Sequence, residues 1–311
     1  MAEITAAQVG IPRQGSDEGP PPAVVRLGSA RGGWFRQVGW RHLIGIIALF
    51  FAMFPIVFVI SAALNPLGTL DTATVIPTGA SFENFSNLFA DTQFVSWYTN
   101  TMLIALVSAG LSMFISACAA FALSRYRFRG RRMGLLSLLL VQMFPQFLAI
   151  VTLYLMFSTI TDYYPAIGFN TPWALILLYL GGALGVNTWL MKGFYDTIPK
   201  DLDESAKVDG ATHAQIFFGI ILPLVAPILA VTGLLAFIAT VSEFIIANIF
   251  LTDPDSKTLA VGLYGLVSGE RNNNFGMFAA GVLLAAIPTV ALFQFLQRYI
   301  VGGLTAGAVK G

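Results

Sequence analysis

Charge is what this chain has least of. Asp, Glu, Lys and Arg make up 11% of its 311 residues, against 56% apolar, where a soluble domain carries about 25% charged residues. A water-soluble fold could not cover its surface with so few charges; lipid removes that requirement. Cysteine is nearly absent. Cys118 alone excludes an internal disulfide framework, and in its small-residue setting it reads as inert. The two histidines, His42 and His213, lie far apart, and no Cys/His cluster has metal-ligand spacing. Missing too are the phosphate-cradling Gly-x-x-x-x-Gly-Lys-Ser/Thr loop, a His-Glu-x-x-His helix and any Ser/His or paired-Asp arrangement. The expectation is a chain with no catalytic residue, no metal, no bound cofactor and no nucleic-acid partner.

What the chain has is long apolar runs. A helix crossing the hydrocarbon core needs about 20 predominantly apolar residues, and six stretches qualify: 43–64, 101–123, 133–157, 173–191, 216–250 and 275–295. Backbone polar groups in lipid must be satisfied within the segment, which makes these runs helices. The fifth, 35 residues long, would reach about 50 Å as one helix, so it must tilt, break or protrude. Pro223 and Pro227 are its kink points. The expected fold is all-α: six transmembrane helices over 34–301, after a polar 1–33 tail without helical periodicity. Span one is too long for a signal peptide's apolar region, so Ser61-Ala62-Ala63 is read as part of an uncleaved anchor.

Basic residues orient the spans. Arg13, Arg26, Arg31, Arg36 and Arg41 precede span one; Arg125, Arg127, Arg129, Arg131 and Arg132 follow span two. Lys192, Lys200 and Lys207 follow span four, and Arg298 and Lys310 follow span six. The alternate loops hold only Lys257 and Arg271. Lys and Arg concentrate on cytoplasmic loops, which puts both termini in the cytoplasm of a multi-pass inner-membrane protein.

Polar residues within the runs are few. Ser108, Ser112, Ser116 and Ala120 recur every four residues along span two, a small-residue stripe that lets another helix approach closely. Gly181, Gly182 and Gly185 in span four permit close packing or bending, with packing preferred. Gln142 and Asn187 are candidates for bonds between helices. Glu243 is the one acidic residue well inside an apolar run; an intramembrane carboxylate faces protein or a water-filled path. It is a candidate for the translocation path or a gate, the alternative being a position near the outer end of span five.

The loop between spans four and five, 197–215, carries structure of its own. Asp201 with Glu204, and Thr212 with Gln215, have capping-box spacing, and Gly210 between them is a natural helix stop. The pattern predicts a helix over 201–209, a turn at Gly210, and a second helix from near Thr212 into span five. Leu202, Ala206 and Val208 give the first helix some apolar surface.

Glu204-Ser205-Ala206, then Asp209-Gly210-Ala211 and Ile221-Leu222-Pro223, resemble the EAA loop of permease subunits of bacterial ATP-binding-cassette importers, with Ser205 in place of the motif's first alanine. The stretches 142–145, 167–171, 179–182, 258–262 and 303–311 extend that resemblance to the MalG-type permeases of maltose/maltodextrin importers. The resemblance implies a type I importer permease fold whose coupling loop docks on an ATPase subunit. It further implies a second, MalF-like permease, two MalK-like ATPases holding ATP and Mg, and an extracytoplasmic sugar-binding protein. Glu204, Ser205, Ala206, Asp209, Gly210 and Ala211 become coupling residues. Thr305, Gly307 and Lys310 of the 302–311 tail would contact the ATPases, and Tyr264, Ser268 and Asn272 the binding protein. The sugar would be maltose, a maltodextrin, trehalose or a related oligosaccharide. A secondary transporter or channel acting alone is the alternative reading; it would call for internal repeats with paired broken helices, and no repeat is evident.

Overall fold

The computed structural model describes residues 38–66, 69, 74, 76, 79–268 and 274–308, leaving aside the side chains of 146–147 and 301–308. Among these residues there is no strand. The chain divides after Met53 into two units. In the first, the start of α1 (Trp40–Leu64) is apolar and exposed all round, with the Arg41 guanidinium over the Trp40 ring at 5.7 Å. A helix that is greasy on every face has lipid for its solvent.

In the second unit α1 finishes with Ser61, Ala62 and Ala63 buried. The helices α2 (Glu83–Asp91), α3 (Phe94–Arg125), α4 (Arg131–Met143) and α5 (Ile150–Tyr163) follow. Next come α6 (Pro172–Gly181), α7 (Val186–Asp196), α8 (Asp201–Val208) and α9 (His213–Leu224). The last four are α10 (Ala226–Val241), α11 (Ile245–Phe250), α12 (Leu259–Val267) and α13 (Phe275–Ala308).

Helix α3 is the axis of this unit, with α6, α7, α10 and α12 packed on it. Its small-residue stripe is the reason: Ser108, Ser112, Ser116 and Ala120 are all buried. Lipid is as apolar as the helix faces, so close packing and hydrogen bonds, rather than exclusion of water, hold such helices together. Ser116 Oγ donates to the Ala183 carbonyl at 2.6 Å. Towards the other end, Thr101 Oγ1 accepts from Leu259 N at 2.7 Å, and Trp97 Nε1 donates to the Pro254 carbonyl at 2.9 Å. Gly262 of α12 is obligatory, since a Cβ there would lie 2.2 Å from Trp97 Cδ2.

Three of the six expected spans are interrupted. Among the described residues, the helices long and apolar enough to cross a membrane by themselves are Trp40–Leu64, Phe94–Arg125 and Phe275–Ile300. Two bent pairs could each make one more crossing: α6 with α7 at 53°, and α9 with α10 at 78°. The expected third span is two shorter helices, because Pro145 pushes Phe144 out of helical geometry to φ −74°, ψ 127°. The fourth bends at its glycines. Gly181 and Gly182 have no side chain pressing on them, so there it is bending rather than packing that uses glycine; Gly185 does both, with the Gln142 amide lying over it. The fifth breaks at Val225, one residue before α10 and two before Pro227, and again at 242–244. Residues 259–267, expected in a loop, form α12, and α13 continues through 302–308, expected as tail.

Candidate functional site

The helix-turn-helix at 201–215 forms as the pattern predicts, with one exception. Lys200 rather than Asp201 is the N-cap of α8, and no side chain caps it, so the Asp201/Glu204 capping box is absent. Asp201, Asp203 and Glu204 lie in the first turn and Lys207 in the last, where each complements the helix dipole. The C-terminus closes as a Schellman motif: Gly210 N donates to the Lys207 carbonyl at 3.0 Å and Ala211 N to the Ala206 carbonyl at 2.9 Å. Gly210 supplies the required left-handed turn at φ +82°. Thr212 and Gln215 then form the expected box, with Gln215 N to Thr212 Oγ1 at 3.3 Å and Thr212 N to Gln215 Oε1 at 2.8 Å.

The two faces of α8 differ sharply. Ala206 is buried and packs with Tyr195, Ile198, Ile216, Phe217 and Ile221, and Ala211 leans on the same cluster. Glu204, Ser205, Asp209 and Gly210 are exposed, together with Leu202 and with Val208, which is 87% exposed. The predicted coupling residues therefore separate into an outward set and an inward pair, Ala206 and Ala211.

Asp203, which sequence reasoning passed over, also points inward. Its Oδ2 lies 2.6 Å from Arg125 Nε at the end of α3, with both side chains buried. Arg125 also donates to the carbonyls of Tyr195 and Ile198, each at 3.2 Å. A cleft of about 80 Å³ lies beside this pair, lined by Phe121, Tyr126, Lys200, Glu204, Lys207 and His213. The available signal was helical spacing: adjacent acids at 203 and 204 point about 100° apart, and 203 shares a face with Ala206.

Residues 112–305 match the family described as the inner-membrane component of binding-protein-dependent transport systems. The chain belongs to this family. It is a permease subunit of a binding-protein-dependent transporter, a multi-pass inner-membrane protein with a non-catalytic part in the assembly. It is 41% identical over 262 residues to the galactooligosaccharides transport system permease protein GanQ of Bacillus subtilis (strain 168), covering 83% of this chain and 90% of that one. It is 42% identical over 233 residues to the maltodextrin transport system permease protein MdxG of the same organism, covering 74% and 81%. It is 39% identical over 283 residues to the maltose/maltodextrin permease MalG of Salmonella typhimurium (strain LT2), covering 87% and 95%. In fold it is similar to a chain of a bacterial ABC transporter importing the acidic polysaccharide alginate, with TM-score 0.70, 21% identity and coverage of 87% and 98%.

Elsewhere in this permease, Glu243 is engaged by its neighbours. Its carboxylate accepts from Tyr179 Oη at 2.7 Å, Ile246 N at 2.8 Å and Ala247 N at 2.9 Å. It thereby satisfies the backbone N–H groups freed by the break at 242–244. Tyr264 is exposed on α12, its ring 4.8 Å from that of Phe244. Ser268 follows it and donates to the Gly265 carbonyl at 3.3 Å. Asn272 and Lys310 lie outside the described residues. Thr305 and Gly307 fall on the last turns of α13, where only the backbone is described. Among the described residues no group of His, Cys, Asp and Glu could hold a metal ion.

Proposed function

We propose that this permease belongs to an ATP-driven importer of maltose, maltodextrins or a related oligosaccharide such as a galactooligosaccharide or trehalose. It would form the translocation path with a second, MalF-like permease. Two MalK-like ATPases, holding ATP and Mg, would drive it, and an extracytoplasmic sugar-binding protein would deliver the solute. Six crossings are the reading: the three long helices, the two bent pairs, and 131–163 in two pieces. The basic end, with both termini, lies in the cytoplasm.

The observation that carries this reading is the exposed face of α8. Glu204 offers a carboxylate for a basic partner, and the exposed Val208 offers that partner an apolar contact. Behind that face the Gly210 turn holds α8 against α9, so closure of two docked ATPases would be passed on as rigid-body motion. The 302–311 segment, with Thr305, Gly307 and Lys310, is assigned a second ATPase contact, and Tyr264, Ser268 and Asn272 the binding-protein contact. Glu243 keeps a role at the path as the latch of the broken fifth crossing, bridging it to Tyr179; a gate would work through that latch.

Reconstitution of the complete transporter in proteoliposomes tests the proposal. ATP-driven sugar uptake is expected with the native chain and none with Glu204→Lys, although that variant still inserts. Uptake by the purified permease alone, without ATP or partners, would return the chain to the secondary-transporter reading.

A further inference from the structure

Between α7 and α8 the chain passes through residues 197–200, Thr-Ile-Pro-Lys, a short connector containing Pro199. If this connector flexed, a push on α8 would pass through the Gly210 turn to α9 but would reach α7 and α3 poorly. Besides the packing of Ala206 in its buried cluster, one charged side chain opposes such flexing. Arg125 is the last residue of α3, its side chain 5% exposed, and its guanidinium reaches three places at once. Nε is 2.6 Å from Asp203 of α8, Nη1 donates to the last turn of α7 at Tyr195, and Nη2 to the connector itself at Ile198. A planar guanidinium fixes direction as well as distance, which an ammonium does not. Beside it Ser124 Oγ donates to Asp196 Oδ1 at 2.6 Å, and Lys192 closes on Oδ2 at 2.5 Å. This second tie joins the same two helix ends.

Stability alone is a poor reason for the pair. A buried ion pair is often no better than apolar residues of similar volume, although removing one partner is damaging. Asp203 Oδ1 and Arg125 Nε are both buried with no hydrogen-bond partner among the described residues, so the two side chains meet as an ion pair, and the directed hydrogen bonds of Arg125 are those to Tyr195 and Ile198. What Arg125 does supply, by the ion pair to Asp203 and the two directed bonds to Tyr195 and Ile198, is a link between the loop and α3, the helix on which α6, α7, α10 and α12 all pack.

We propose that Arg125 and Asp203 are positioning residues that weld α8 to the end of α3, so that force on the exposed face of α8 moves α3 instead of bending the 197–200 connector. This rests on the coupling role given to α8 above.

The test uses the complete transporter in proteoliposomes and the ratio of ATP hydrolysed to sugar imported. The double variant Arg125→Met with Asp203→Met replaces the charges by packed apolar side chains. It is expected to assemble with its ATPases and hydrolyse ATP, yet consume severalfold more ATP per sugar than the native transporter. Arg125→Lys keeps the charge but loses the fork, and should show a smaller rise in the same direction. Spin labels at Val208 and Phe128, with Cys118 replaced by Ser, give a readout independent of transport. The native pair should hold one narrow distance with and without ATP, and the double variant should broaden it.

A double variant with the native ratio and the native narrow distance overturns the proposal. If it fails to assemble, Arg125→Lys decides: an unchanged ratio overturns the weld, and a raised one supports it. Glu204→Lys in parallel separates the two levels. Normal transport by that variant removes the coupling role of α8 itself, whereas a dead Glu204→Lys beside a fully coupled double variant removes only the weld.

Discussion

Helix α3 and the α9–α10 pair lie side by side, yet one is a single unbroken helix and the other is bent by 78°. Over 32 residues α3 contains no proline, and its packing face is a line of serines and alanines. The α9–α10 run has Pro223 and Pro227, π-helical geometry over Ile216–Ile221 and a non-helical Val225. Prolines remove intrahelical bonds, and π-turns are frequent at functional sites. The contrast separates two mechanical parts. A rod with small-residue walls can carry displacement along its length, and a segment already broken can turn without breaking further bonds.

Three substitutions would sharpen or break that contrast. The largest effect is expected from Ser116→Leu, which forces a bulky side chain into a fully buried site of α3 and removes its bond to the Ala183 carbonyl. Overpacking and the lost partner together should cost more than about 3 kcal/mol, seen as early thermal unfolding of the purified permease in detergent. Native-like unfolding would mean that the wall of the rod is soft. Next comes Glu243→Ala, which strips Tyr179 Oη and two backbone N–H groups of their acceptor at the second break. A loss of about 1–3 kcal/mol is expected by the same assay. Glu243→Gln, which keeps an acceptor, should retain most of the stability. If it instead abolished uptake at native stability, the negative charge itself would be at work in the path. The smallest effect belongs to Gly210→Ala, which places a Cβ at φ +82° for about 1–2 kcal/mol. Uptake should fall more than stability, because the turn sets the angle of α8; an Asn at the same place should be milder, as Asn tolerates that geometry.

The helix-turn-helix was legible in the sequence because caps are local chemistry. Thr212 with Gln215 and the glycine at 210 act within five residues, and the structure forms both. Asp201 has the same spacing and does not cap, since the chain entering from Pro199 places Lys200 at the N-cap. The serine stripe was equally legible, as a four-residue period names a helix face whatever lies opposite. Less could be read where hydropathy alone spoke. The apolar run 133–157 carried one sign of being two helices, Pro145 near its middle, which hydropathy alone passes over; the structure shows its effect in the extended Phe144. Residues 259–267 looked like loop because their anchor is distant in sequence: Gly262 fits under Trp97. Asp203 and Arg125 are 78 residues apart, and only the fold brings them to 2.6 Å.

The account turns on what touches the exposed side of α8. A photo-cross-linking residue in place of Val208, in the fully assembled transporter, reads this directly. The prediction is a covalent adduct with an ATPase subunit, formed both with and without ATP, because the docked helix moves with its partner. Adducts with lipid or solvent alone, in an assembly whose ATPases are bound and active, would contradict it.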